Sequence, residues 1–343
     1  MKDKNVITRI TISRPKVNKE KNKETNTKQK GKKGKKDKIK KPKFRYVYKG
    51  GKRKISQKDK DKIDKLGYIP YSWDDVDIFL NDDKIVAIGM LKGVKRYLYK
   101  KEFCKQQSDK KCDRMIKFGK ELKNIKNNIM GVLAKDSCRK KVIATGLWLL
   151  LMSSIRVGNK KYLKENGTYG LTTLQKKHVK VRPTYIELDF RGKKSVQNYV
   201  KVNLPNKRMY EWFKKLHKNA SPYFLSCDGL RVNSQEINDY IKDYYGEEFT
   251  AKDFRTWGAN VIFLNNVAKI ETQTLKGLNP KEINKIIKEI VEQTAEKLNN
   301  TPSVLKSNYL CQHILEKLKC DPQKIIKKIK NAKDIDKLLI ELL

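Results

Sequence analysis

The run from Val142 to Ile155 carries no charged side chain, in a chain where 35% of all residues are Asp, Glu, Lys or Arg. Such a run has to leave water, so the chain must build a core around it. Its length of about 14 residues falls short of the ~20 needed to cross a bilayer, which predicts a buried helix. The charge around it has one dominant sign. There are 81 Lys+Arg against 38 Asp+Glu, a formal net charge of +43. That points to a polyanionic partner, nucleic acid first and acidic membrane second.

The excess is unevenly spread. Residues 1–60 hold 25 Lys+Arg against 5 Asp+Glu. Residues 1–42 contain lysine runs with almost no aromatics, and cannot bury enough apolar surface to offset chain entropy. They are expected as a disordered lysine-rich tail. Residues 43–105 are expected as a small β-rich domain, because short apolar runs there alternate or cluster between Gly, Asn and Asp. Within it, Val94 to Tyr99 alternates basic and aromatic residues, a pattern suited to phosphate and base contacts. Residues 106–120 read as a connector, and 121–343 as a mainly α-helical catalytic domain. The fold class is therefore α+β, a small N-terminal β-rich domain plus a larger helical one.

Several chemistries find no support. Six scattered cysteines without a CxxC pair, and only three histidines, match no zinc-site spacing, and reduced intracellular cysteines are expected. No GxxxxGK[ST] phosphate loop is present, which disfavours an ATP-driven motor. The N-terminus shows no apolar leader. Neither cofactor nor metal is expected.

The second half holds local signals. Thr184 to Phe190 and Val196 to Leu204 alternate, and Arg191 to Ser195 joins them, predicting a hairpin with a basic, glycine-containing tip. Thr250 with Asp253 forms a capping-box pattern, opening a helix to about Val267. Thr301-Pro302 reads as an N-cap followed by Pro at the first helical position, with Tyr309 in the second turn. Only 13 basic residues are Arg. Arg is the forked phosphate clamp and Lys a mobile point charge, so the scarce arginines carry more information.

Four segments stand in a fixed order: Arg156 within Ser153–Leu171, Lys193 at the hairpin tip, Lys252-Asp-Phe-Arg255, and Asn300-Thr-Pro leading to Tyr309. This order resembles the type IB DNA topoisomerases, most nearly their poxvirus and giant-virus branch, over about residues 66–320. The resemblance implies that duplex DNA is the partner and that a tyrosine attacks a phosphodiester. A 3′-phosphotyrosyl link forms, a 5′-hydroxyl leaves, and the strand is rejoined without ATP or metal. It implies Tyr309 as nucleophile, Arg156 and Arg255 as clamps on the phosphate, and Lys193, helped by Lys252, as general acid. Asn300 stands where poxvirus relatives carry histidine, so a hydrogen bond without proton transfer is expected there. Tyr97, Tyr99, Tyr162, Lys161 and Asn159 are the implied DNA contacts; Asn159 stands where poxvirus relatives carry lysine. The same resemblance implies a monomer closing around DNA as a clamp, with no membrane role. It also implies an intracellular place with DNA, in a virion or at a viral replication site. A tyrosine recombinase shares the nucleophile and the cationic clamp, but usually shows His-x-x-Arg where this chain has Lys252 to Arg255. A DNA-packaging protein would need the charge without the ordered motifs.

Overall fold

Six of the eight residues from Val6 to Ser13 are Val, Ile or Thr, side chains that fit a pleated strand. They form β1 (Val6–Ser13), which lies inside an antiparallel sheet. The computed structural model describes residues 6–13, 42–50, 53–271 and 277–343. They divide into two units between Gln107 and Ser108.

In the first unit, β1 pairs on one side with β2 (Lys43–Tyr48). On its other side stands β3 (Asp74–Phe79), followed by β4 (Ile85–Leu91) and β5 (Val94–Tyr99), giving the order β2-β1-β3-β4-β5. Helix α1 (Gln57–Lys65) lies between β2 and β3 in the chain, and its Ile63 joins Ile7, Val76, Ile78 and Ala87 in one core. The buried guanidinium of Arg9 on β1 donates to the carbonyls of Pro70 (2.8 Å) and Trp73 (3.0 Å), tying down the segment before β3. This corrects the expected tail. Residues 6–13 are an inner strand, because averaging over a lysine-rich stretch hides one short β-branched run. The rest of that tail, 1–5 and 14–41, lies outside the described residues.

The expected connector at 106–120 contains the division between the two units, and it is helical, lying inside α2 (Lys101–Lys135). Its buried residues, Cys112, Met115, Phe118, Leu122, Ile125, Ile129 and Leu133, recur every three or four positions, so one stripe faces the core despite a polar average. Helix α3 (Cys138–Ser153) contains most of the uncharged run. Val142, Ala144, Leu147, Leu149 and Leu150 have no exposure, as an apolar surface on all sides requires. Among the described residues no helix is long and apolar enough to cross a membrane.

After the short helix α4 (Lys160–Asn166) comes a three-stranded antiparallel sheet of β6 (Val179–Val181), β7 (Tyr185–Arg191) and β8 (Gln197–Asn203). The predicted hairpin is β7–β8, in register from Tyr185↔Asn203 to Arg191↔Gln197. Helix α5 (Lys207–Lys218), the small pair β9 (Ser226–Cys227) and β10 (Leu230–Arg231), and α6 (Ser234–Tyr245) lead to α7 (Ala251–Val267). The chain ends in α8 (Pro280–Lys297), α9 (Pro302–Asn308), α10 (Gln312–Cys320), α11 (Pro322–Lys330) and α12 (Ile335–Leu342).

The cysteines depart from expectation. Cys112 faces Cys311, and Cys138 faces Cys227, as disulfide pairs with Cα–Cα separations of 5.8 and 6.1 Å. Partners 199 and 89 residues apart meet only through tertiary packing, which no local spacing reveals. Cys104 and Cys320 are free and exposed.

Candidate active site

Helix α7 carries two of the predicted cations. Its start is set by the capping box: the Thr250 N–H and hydroxyl both donate to Asp253, at 2.9 Å each. Arg114 of α2 also donates to Asp253, at 2.9 Å, so the first turn of α7 is anchored from outside. Lys252 in that turn is exposed, whereas Arg255 retains only 5% of its surface. Arg255 donates to the Leu298 carbonyl at 2.6 Å and to the Ser154 carbonyl, and its Nε has no partner. Burial, then repulsion from Arg156, push its guanidinium down to about 10, which leaves it cationic at neutral pH.

Arg156 follows α3 in a loop that turns sharply. Ser154 has φ +53° and Gly158 φ +76°, and a Cβ on Gly170 would lie 2.6 Å from the Gly158 Cα. Glycine at both positions lets the 156–158 loop press against residues 170–172, where Leu171 N–H donates to the Arg156 carbonyl at 2.8 Å. The Arg156 guanidinium donates to Asn300 Oδ1. That leaves Asn300 Nδ2, a buried donor, without a partner. Arg255 Nε and, in the residue bonded to Arg156, Asn300 Nδ2 are buried donors with nothing to bond; buried polar groups are ordinarily satisfied, so each is available to a ligand acceptor.

Tyr309 ends α9. Thr301 Oγ1 caps that helix and Pro302 takes its first position, as the sequence predicts. Tyr309 itself is the C-cap and not an interior residue of the second turn, because the helix closes at Asn308. Its ring is 9% exposed, and the Arg255 guanidinium carbon sits 5.3 Å from the ring centre. Burial raises the phenol, but the charges of Arg255, Arg156 and Lys252 outweigh it and hold it below its usual 10.0. A phenol held down by neighbouring cations is a better nucleophile near neutrality than a free one.

A cleft of about 850 Å³ gathers Arg156, Lys193, Lys252, Arg255 and Tyr309, together with Asn159 and Tyr162. Lys193 enters from the β7–β8 tip, where Lys194 and Ser195 both have φ +61°, a conformation L-residues seldom adopt. Asn299 Nδ2 donates to Asn198 Oδ1 of β8 at 3.0 Å, joining the hairpin to the loop before α9. Tyr162 is 59% exposed. Asn159 Oδ1 caps α4 by accepting from Lys161 N–H at 2.8 Å. Lys161 does not line the cleft, and its ammonium lies 3.9 Å from Glu165. Tyr97 and Tyr99 belong to the first unit, on β5, exposed and stacked with ring centres 6.1 Å apart.

Sequence reasoning missed the residues that hold the backbone at Tyr309. Asn260 of α7 donates to the Tyr309 carbonyl at 3.0 Å and accepts from Cys311 N–H at 3.1 Å. A polar residue on the buried stripe of α7 was the available signal. Lys111 of α2 donates to the Leu310 carbonyl at 2.7 Å, and nothing in a lysine-rich helix singles it out.

A family model described as the eukaryotic DNA topoisomerase I catalytic core matches residues 100–336. The chain is 32% identical to a DNA topoisomerase 1B of Acanthamoeba polyphaga mimivirus over 311 residues, 87% of this chain and 90% of that protein. It is 31% identical to the DNA topoisomerase 1B of Vaccinia virus (strain Copenhagen) over 239 residues, 69% of this chain and 73% of that protein. A DNA topoisomerase 1 of Candida albicans matches at 26% over 174 residues, 49% of this chain and 22% of that protein.

Proposed function

The chain belongs to the type IB DNA topoisomerases, and on that premise we propose that Tyr309 is the nucleophile with which it opens one strand of duplex DNA. The observation that carries this is the meeting of a cationic cleft and one phenol. Tyr309, Arg156, Lys193, Lys252 and Arg255 line one cleft, the Arg255 guanidinium lies over the Tyr309 ring, and Asn300 is bonded to Arg156.

The chemistry follows from the groups present. Tyr309 Oη releases its proton to water and attacks the phosphorus, the P–O5′ bond breaks, and a 3′-phosphotyrosyl link replaces it. Arg156 and Arg255 meet the extra negative charge on the non-bridging oxygens with forked, permanently charged donors. Asn300 Nδ2 adds a neutral hydrogen bond to one of those oxygens. The departing 5′-oxygen needs a proton, which Lys193 delivers from the hairpin tip with Lys252 beside the same cleft. Rotation of the free end lowers the linking difference. The 5′-hydroxyl then returns its proton to Lys193 and attacks the phosphotyrosyl phosphorus, releasing Tyr309. One phosphodiester is exchanged for another, so rejoining needs no nucleotide.

In the same proposal residues 43–105 grip the duplex, with Tyr97 and Tyr99 as exposed aromatic contacts, and 121–343 carry out the chemistry. Tyr162, Asn159 and Lys161 add contacts near the cleft, and one copy of the chain suffices. In the same proposal the chain works on DNA inside an infected cell, at a replication site or in the virion, and its similarity to viral relatives supports that reading.

The test is plasmid relaxation in EDTA without ATP. The wild type is expected to relax supercoils stepwise and to leave a covalent protein–DNA adduct when quenched with detergent. Tyr309→Phe is expected to do neither. Relaxation retained by Tyr309→Phe would falsify the nucleophile assignment.

A further inference from the structure

The segment that presents Tyr309 is held from two sides. From α7, Asn260 takes the carbonyl of Tyr309 and the N–H of Cys311. From α2, the Lys111 ammonium donates to the carbonyls of Leu310 (2.7 Å) and Ser307 (3.2 Å), residues about 200 positions away in sequence. These carbonyls stand at the C-terminal end of α9, where the last turn leaves carbonyl oxygens without helical partners and the helix dipole is negative.

We infer that Lys111 is a positioning residue for the cleavage reaction, setting the Tyr309 phenol by clamping the backbone on both sides of it; the inference rests on Tyr309 being the nucleophile. A single cation that bonds residues 307 and 310 fixes the chain direction through residue 309. The side chain of a helix C-cap otherwise swings with fraying of the last turn. Attack in line on phosphorus tolerates little of that motion.

The placement is costly in a way that a purely structural tie would avoid. Lys111 is half-buried and shares its surroundings with Lys252 of α7 and Arg114 of α2, both cationic. Burial first, then those two charges, push its ammonium down to about 8. A neutral donor would bridge two carbonyls without that repulsion. Despite that repulsion, its hydrogen bonds hold the backbone on both sides of the phenol. The neighbouring residue, Cys112, meets Cys311 on the other side of the same segment, so α2 contacts the nucleophile's strand of backbone twice.

The experiment uses the full chain and a suicide duplex whose cleaved end diffuses away, so that a single round of covalent adduct formation is read. Lys111→Met, Lys111→Gln and Lys111→Arg are compared with wild type for adduct rate, and each is paired with Tyr309→Phe to measure DNA affinity without cleavage. Lys111→Met is expected to slow adduct formation by about 10²-fold with affinity changed by less than about twofold, and Lys111→Arg to restore most of the rate. Lys111→Gln, which keeps a donor but no charge, is expected between them. Thermal midpoints taken on the same samples separate rate from folding. A wild-type rate in Lys111→Met overturns the inference. So does a loss of affinity equal to the loss of rate, which makes Lys111 a DNA-binding cation. Equal slowing of all three variants in step with lowered thermal midpoints makes it a structural tie and also overturns it. Cleavage by Tyr309→Phe alone would sink the nucleophile assignment and this inference with it, whereas the preceding outcomes overturn the inference and leave that assignment standing.

Discussion

Arg255 and Lys193 line the same cleft and are held in opposite ways. Arg255 is buried, bonded to the carbonyls of Ser154 and Leu298, and leaves one donor unspent. Lys193 is exposed at the end of a hairpin whose next two residues sit at positive φ. The fold has therefore already met the cost of placing one cation, whereas the other stays exposed on a turn. This matches the proposed roles. A clamp on phosphate oxygens must be present before charge develops, because preorganisation is what makes it effective. A proton donor to the leaving oxygen must follow that oxygen as the bond breaks.

Lys193→Ala tests the mobile half and carries the largest expected effect. Cleavage should slow by about 10²–10⁴-fold with no change in thermal midpoint. A substrate with sulfur in place of the 5′-bridging oxygen, whose thiolate leaves without a proton, should recover the lost rate. Failure of that rescue would break the division between clamp and acid. Arg255→Ala tests the fixed half. It should slow cleavage by about 10²–10³-fold, with no rescue by the sulfur substrate. Unlike Lys193→Ala it should also lower stability, since two carbonyls lose their donor at about 1–3 kcal/mol each. It should further move the alkaline rise of the pH–rate profile to higher pH. Arg255 is the leading charge that holds the Tyr309 phenol below 10.0, and removing a cation raises a phenol.

Two smaller effects extend the contrast to surfaces away from the phosphate. Tyr97→Ala on β5 should cost about 1–3 kcal/mol in DNA affinity, measured on the Tyr309→Phe background, with the saturated cleavage rate unchanged. A fall in that saturated rate would place Tyr97 in the chemistry. Asn159→Ala should show the least. Loss of the α4 cap costs about 1 kcal/mol and should appear as a lowered thermal midpoint, with a modest loss of affinity from its place in the cleft.

The starts of α7 and α9 were legible in the sequence because caps are local. Thr250 with Asp253, and Thr301 with Pro302, satisfy the first N–H groups of a helix from residues a few positions away. The β7–β8 hairpin was legible for the same reason, two alternating runs joined by a short basic turn. Strand β1 was missed although its β-branched run was visible, since the lysines after it dominated the composition. The connector at 106–120 was set where the two units divide, but the full length of α2 was not legible because its apolar stripe is thin: Cys112, Met115, Phe118 and Leu122 stand among lysines. The cysteine pairs left no local mark at all.

What the chain's sequence determined alone was which residue types the reaction has at its disposal and their order: two scarce arginines, a lysine on a hairpin, a Lys-x-x-Arg helix start, and one tyrosine after Asn-Thr-Pro. Residue type and short-range spacing suffice for that, because caps, turns and periodicity act over one or two turns of backbone. Tertiary structure alone decided how charged and how free each group is. Burial fixed Arg255 against two carbonyls, and the charges of Arg255, Arg156 and Lys252 depressed the Tyr309 phenol against its own desolvation. Packing of α2 against the end of α9 brought Lys111 to the backbone beside Tyr309. Desolvation and Coulomb interaction depend on distances between residues far apart in the chain, and those distances exist only once the core around α3 has formed.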